Sequence, residues 1–193
     1  MNKWKTSGGC VVAVVLGLVF TTNTELKTSE NGLKHIADYE GCMVAAYQCS
    51  ADKWTLGLGH TQNVKEGDVA SYRDMADWFI DDVQLAERVV DRLLNANVSQ
   101  AQYDMSVSFV FNLGAGNFAR STFLKKLNAD DETACDELTR WVFVNGKDCR
   151  VAANNCAGIV KRRQSEREIC LNGYSVQNLR TSSTGATVGR RIY

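Results

Sequence analysis

Proline is absent from all 193 residues. That removes proline-stiffened linkers and argues against a string of separate modules; a chain of this length suffices for one domain with a proper core. Histidine occurs only twice, at His35 and His60, and no Cys-x-x-Cys is present. The spacings therefore do not describe a zinc site, and neither a metal nor a cofactor is expected. Net charge is missing too: 22 Lys and Arg balance 22 Asp and Glu, so no overall basic surface invites nucleic acid. The local basic stretch "KRRQSER" reads as the solvated face of a helix. No apolar run reaches the ~20 residues of a membrane span, and no repeat period stands out.

Cysteine, in contrast, is plentiful: seven in a chain this size exceed what a reducing compartment leaves without a metal or redox role. An exported, disulfide-bearing protein is the better reading, and an odd count leaves at least one thiol free or exchanging. The N-terminus fits export. Lys3 and Lys5 precede an apolar run from Cys10 to Phe20, a charge order that keeps the first residues cytoplasmic. The run resembles the h-region of a signal peptide, yet "TTNTELK" offers no Ala-x-Ala-like cleavage site, so the segment is expected to be retained. Cys10 precedes the apolar run, whereas a lipidated cysteine would follow it. A buried core helix is the alternative; the preferred reading is a weakly hydrophobic export segment over residues 1–27 that can leave the bilayer.

The body divides by period. "TSENGLKHIADYE" carries Leu33, Ile36, Ala37 and Glu40 at helical spacing, with Ser29 or Asn31 as cap. "AAYQCSADKWTLGLGHT" alternates and breaks at "SADK" and again at Gly57 and Gly59, the pattern of a small β-hairpin. "DMADWFIDDVQLAERVVDRLLNAN" is a long amphipathic helix, long enough to bridge two lobes. "SQAQYDMSVSFVFNLG", with Ser99 as cap, is a largely buried helix. "RSTFLKKLNADD", "ETACDELTRWVFVNGK" and "GIVKRRQSEREICLNG" all read as helical. A small α+β lobe thus precedes a helical lobe, with a weakly patterned tail over residues 176–193.

Glu40 falls at a helix end beside a hairpin, where desolvation could fit a carboxyl for general-acid work. Glycoside cleavage would need a second group, for which Asp38, Asp52, Cys49, Thr55 and His60 are near in sequence. Alone, a glutamate near a turn is ordinarily just solvated. Together the residues say more. "YEG", then Cys49, Thr55 and "LGLGHT", resembles the phage-type lysozymes, muramidase endolysins with a Glu–Asp–Thr triad. "SFVFNLGAGNF", "STFLKKLN" and "LTRWVFVNGK…GIVKRRQSEREIC" resemble the helical lobe of the same family, so the likeness spans residues 28–172.

The resemblance implies a two-lobed α+β lysozyme fold over residues 28–175, cutting the β-1,4 bond between N-acetylmuramic acid and N-acetylglucosamine in peptidoglycan. Glu40 matches the general acid and Thr55 the threonine that positions water. Asn112 and Gly114 fall in the "FNLG" turn that borders the cleft in the family, and His60 and Thr61 close the "GxGHT" turn. All four are candidate substrate contacts, with a structural role as the alternative for His60 and Thr61. Cys49 stands where the family has its catalytic aspartate: a neutral thiol is a poor base, whereas its thiolate is a competent base or nucleophile. Asp52 taking over is the rearranged alternative. Whether the outcome is retaining or inverting stays open.

Cys42 and Cys49 are close enough to close a small loop that occupies the working sulfur. Cys10, once out of the membrane, could attack Cys42 and expel Cys49 without any reductant. This pattern resembles the thiol-switched signal-anchor-release endolysins. The four remaining cysteines allow three pairings, of which Cys135–Cys170 and Cys149–Cys156 are favoured. The implied partners are peptidoglycan, the host inner membrane and the host secretion machinery, with the chain a monomer that starts on the periplasmic face and ends soluble in the periplasm. Two competing readings are a catalytically dead peptidoglycan-binding protein of the same fold and a cysteine peptidase using Cys49 and His60, which lacks an oxyanion hole and an orienting third residue.

Overall fold

The structure, a computed structural model, describes residues 9–22, 25–48 and 53–174. By internal contacts the chain forms two units, Met1–Val90 and Asp91–Tyr193. Cys49, Asp52 and the tail over residues 176–193 lie outside the described residues.

The first unit opens with α1 (Val12–Thr21), an uncharged helix that buries Val15, Leu16 and Val19 and packs on α2 (Glu30–Tyr39). Ser29 caps α2 by accepting from Gly32 N–H at 3.1 Å, and Glu30 sits favourably in the first turn. The apolar stripe of α2 puts Leu33, Ile36 and Ala37 in the core. β1 (Cys42–Gln48) and β2 (Trp54–Leu58) pair antiparallel, Cys42 opposite Leu58 and Gln48 opposite Trp54, with an irregularity between Met43 and Tyr47. α3 (Tyr72–Leu93) begins with a reciprocal cap: Asp74 N–H donates to Ser71 Oγ, and Ser71 N–H donates to the Asp74 carboxylate. Its buried stripe runs from Met75 to Val90. Buried Glu87 on that helix accepts from Thr28 N–H and Oγ1, both at 2.7 Å, tying the turn before α2 to α3.

In the second unit α4 (Gln100–Leu113) starts at a full capping box between Ser99 and Gln102. α5 (Ala115–Ala119) and α6 (Thr122–Leu127) follow, and α7 (Ala157–Asn172) closes the unit. Phe109, Phe118, Phe123 and Trp141 form its aromatic centre, Phe109 meeting Trp141 edge-on at 4.9 Å. Cys135 is bonded to Cys170 and Cys149 to Cys156.

Two expectations are corrected here. The segment "ETACDELTRWVFVNGK" is not one helix: a 3-10 helix (Ala134–Arg140) gives way to a hairpin of β3 (Phe143–Val144) and β4 (Lys147–Asp148). Asn145 and Gly146 turn it with φ of 50° and 76°, the left-handed pair that a two-residue hairpin loop requires. Nor is "KRRQSER" a solvated face. Arg162, Arg163 and Glu166 are 2%, 0% and 0% exposed. Glu166 Oε1 accepts from Arg162 Nε at 3.1 Å, Arg163 Nη2 at 3.0 Å and Ser108 Oγ at 2.7 Å. The guanidiniums tolerate burial because they share this carboxylate as a counter-charge and α4 supplies the hydroxyl.

Candidate active site

Glu40 is the residue on which α2 ends. Its backbone turns extended (φ −91°, ψ 136°) and its N–H still donates to Ala37 O at 3.2 Å, so the half-buried side chain projects from a fixed point. Against it lies the glycine-rich turn after β2. Leu56 and His60 exchange both backbone hydrogen bonds, at 2.9 and 3.0 Å, which folds the turn tightly. Gly59 there has φ +86°, and a Cβ on it would lie 3.0 Å from Glu40 Oε2. Gly57 has φ +61°, and its Cβ would lie 3.1 Å from Met75 Cγ on α3. The two glycines therefore let the turn close on the acid from one side and on α3 from the other.

Thr55 lies on β2 opposite Tyr47 and is 4% exposed, its hydroxyl donating to Lys53 O at 3.2 Å. His60 is committed to α3: its Nδ1 is 2.9 Å from Asp82 Oδ2, and its ring stacks on Trp78 with centroids 4.8 Å apart. Thr61 follows it, exposed. The first unit thus brings Glu40 and the turn carrying His60 into contact. Cys49, placed in the catalytic set by sequence, and its alternative Asp52 lie outside the described residues. Cys42 is bonded to Cys10, with Cα atoms 5.2 Å apart.

Asn112 and Gly114 belong to the second unit. Asn112 Oδ1 accepts from Arg163 Nη2 at 3.0 Å, and Gly114 ends α4 with φ 84°. Sequence reasoning missed that the buried arginine cluster holds Asn112; the only signal was Glu166 at helical spacing from both arginines. The same unit carries a pocket of about 450 Å³ walled by Leu113, Trp141 and Phe143, with Asn117, Arg120 and Arg140 as donors. Glu137 also lines it, and Lys126, which donates to that carboxyl at 2.7 Å, holds it below the usual range. Among the described residues no cluster of three His, Cys, Asp or Glu is disposed to hold a metal ion.

The first unit thus presents an acid at a helix end with a glycine turn pressed on it and a threonine on the adjoining hairpin. The phage lysozyme family model matches residues 37–166. An endolysin of Acyrthosiphon pisum secondary endosymbiont phage 1 is 39% identical over 144 residues, 73% of this chain and 95% of its own. The SAR-endolysin of Enterobacteria phage PA-2 is 32% identical over 136 residues, 69% of this chain and 78% of its own. The crystal structure of the active form of the P1 phage endolysin Lyz matches with a TM-score of 0.75 and 26% identity, covering 88% of this chain and 99% of that one. The chain belongs to the phage lysozyme family and is a muramidase-type glycosidase, an endolysin akin to the SAR-endolysins.

Proposed function

We propose that this endolysin is exported inactive and switched on by disulfide exchange when its N-terminal segment leaves the membrane. It then hydrolyses the β-1,4 bond between N-acetylmuramic acid and N-acetylglucosamine. Glu40 protonates the glycosidic oxygen, Thr55 positions water, and Cys49 takes the part of the second catalytic group. His60, through Asp82 and Trp78, anchors the turn against Glu40; Thr61, Asn112 and Gly114 contact the substrate. The pocket beside Trp141 suits an acetamido sugar or a peptide carboxylate, having an apolar aromatic wall and guanidinium donors.

In the switch, the Cys10 thiolate attacks Cys42 Sγ. The Cys10–Cys42 bond forms as Cys42–Cys49 breaks, and Cys49 leaves as a thiolate. One disulfide replaces another, so neither oxidant nor reductant is consumed. The observation that carries this reading is that Cys42 is bonded to Cys10 and has no valence left for another thiol. The direction follows from magnitudes. Exchanging the short loop for one with a sequence separation of 32 costs roughly 1.3 kcal/mol in loop entropy. Docking α1 buries Val15, Leu16 and Val19 at 0%, 6% and 4% exposure, each contributing about 1.5–3 kcal/mol gross. Docking therefore decides the direction, not loop size.

The docked helix is not a spanning one. None of the described helices is long and apolar enough to cross a membrane. The ten residues of α1 extend about 15 Å, half of a ~30 Å hydrocarbon core. Anchoring in the host inner membrane, after passage through the secretion machinery, thus requires α1 to detach and lengthen; release to the periplasm as a monomer reverses this. Disulfide mapping by non-reducing peptide mass spectrometry, paired with muramidase assays on membrane-bound and released protein, tests the reading. The expected result is Cys42–Cys49 in an inactive bound form and Cys10–Cys42 in an active released form, with Glu40→Gln lowering activity by at least about 100-fold. An active form that retains Cys42–Cys49 would shift the second role to Asp52 and end the switch.

A further inference from the structure

β1 has two edges, and β2 fills only one. Alternate residues of a strand direct their backbone polar groups to the same edge, and on β1 the residues 42, 44 and 46 face away from β2. Ala70 N–H donates to Val44 O at 3.0 Å, and Ala46 N–H donates to Asp68 O at 2.9 Å. Farther up that edge, Gly9 bridges Met43 and Cys10 N–H donates to Cys42 O at 3.0 Å. The export segment thus extends an edge that residues 68–70 have already begun to fill, by strand addition.

Each of these two segments runs directly into a helix, and the two helix starts are tied together. Val11, the residue before α1, donates its N–H to the Tyr72 hydroxyl at 3.1 Å. Val11 has no capping side chain, so this N–H is one of the orphan donors of a helix start. Tyr72 is the first residue of α3, its backbone fixed by the cap between Ser71 and Asp74. These bonds set Cys10 and Cys42 with Cα atoms 5.2 Å apart, inside the span of about 4.4–6.8 Å that a disulfide bridges.

We infer that Tyr72 is a positioning residue of the switch: with the outer edge of β1 it latches the released segment non-covalently, so that Cys10 is aligned on Cys42 before the new disulfide forms. Its regulatory part rests on the thiol-switch reading; the latch itself does not. The exchange is the balanced one above, Cys10 giving up its proton to solvent and Cys49 leaving as thiolate.

Full-length protein decides the matter in two measurements. Hydrogen exchange of the Val11 amide is compared in Cys10→Ser and in Cys10→Ser with Tyr72→Phe, where no Cys10 disulfide can form. The amide should stay protected in the first and exchange about 2- to 13-fold faster in the second, the range for one net hydrogen bond. Released protein with Tyr72 or Tyr72→Phe is then equilibrated in glutathione buffer. The ratio of Cys10–Cys42 to Cys42–Cys49 isomers should fall by the same factor in the variant, with kcat of the isolated Cys10–Cys42 isomer unchanged. An unprotected Val11 amide in Cys10→Ser, or one indifferent to Tyr72→Phe, overturns the latch. An unchanged isomer ratio overturns its role in the switch. Absence of any Cys42–Cys49 isomer sinks the thiol-switch reading instead, and the Val11 exchange still decides the latch.

Discussion

Replacing Glu166 by glutamine isolates what the buried charge cluster contributes. The side chain keeps its shape and a carbonyl acceptor, so no cavity opens and Ser108 can still donate. The negative charge facing Arg162 and Arg163, themselves 2% and 0% exposed, is what disappears. Removing one partner of a buried pair costs roughly 3–5 kcal/mol, because the survivor stays desolvated without its counter-charge. Here two cations share one carboxylate, while the retained acceptor softens the loss, which places the expected destabilisation at about 3 kcal/mol. For a chain this long that is a drop of about 6–12 °C in Tm. Urea unfolding followed by circular dichroism, with disulfides intact and the slope m compared between variants, reads it directly. The companion variant Arg162→Met/Arg163→Met/Glu166→Leu removes all three charges and should recover most of the loss. A cost below about 1 kcal/mol for Glu166→Gln, or a triple variant worse than the single one, refutes the electrostatic account. Activity gives a second readout, since Arg163 also holds Asn112.

Further outcomes concern the acid and its supports. Gly59→Ala forces φ +86° on a residue with a Cβ and sets that carbon against Glu40 Oε2; it should cost about 1–2 kcal/mol and, by displacing the carboxyl, about 10- to 100-fold in muramidase turnover. Gly57→Ala, pressed on Met75 instead, should destabilise comparably while retaining most activity, and equal activity losses for the two would argue against the contact with Glu40. Asp82→Asn leaves His60 stacked on Trp78 but weakens its 2.9 Å bond; a loss of about 1–2 kcal/mol is expected by urea titration. Asp74 offers a pH test: the Ser71 hydroxyl, then the Ser71 N–H, hold its carboxyl below the ordinary value. Because its folded pKa lies under the unfolded one, its contribution is complete above pH ~3.9 and vanishes as pH falls through the lowered folded value. The stability gap between the wild type and Asp74→Asn should therefore close on acidification below that pH; a gap that widens there would contradict the assignment.

Local chemistry carried much of the architecture, because caps and periods are short-range devices. Ser29 and Ser99 announced the helices they begin, and alternation with glycine breaks announced the hairpin leading to the turn at His60. The Asn-Gly pair at residues 145–146 carried an equally local signal for β3 and β4. It was outweighed by an apolar period too short to distinguish a helical turn from a strand. Glu40 and Thr55 stood out only through the family resemblance of their spacing, since a lone glutamate near a turn carries no chemistry by itself.

Burial, however, depends on neighbours far along the chain. Nothing within "KRRQSER" shows that Ser108 waits on another helix, so the same residues read as solvated until α4 and α7 pack. The approach of Gly59 to Glu40 joins the end of a helix to a turn beyond the intervening hairpin. The bond from Val11 to Tyr72 spans 61 residues and exists only because two chain segments share one strand edge. Sequence determined which groups are present and the local elements that carry them. Tertiary packing decided which charges lose water, which glycines may hold no side chain, and which thiol meets Cys42.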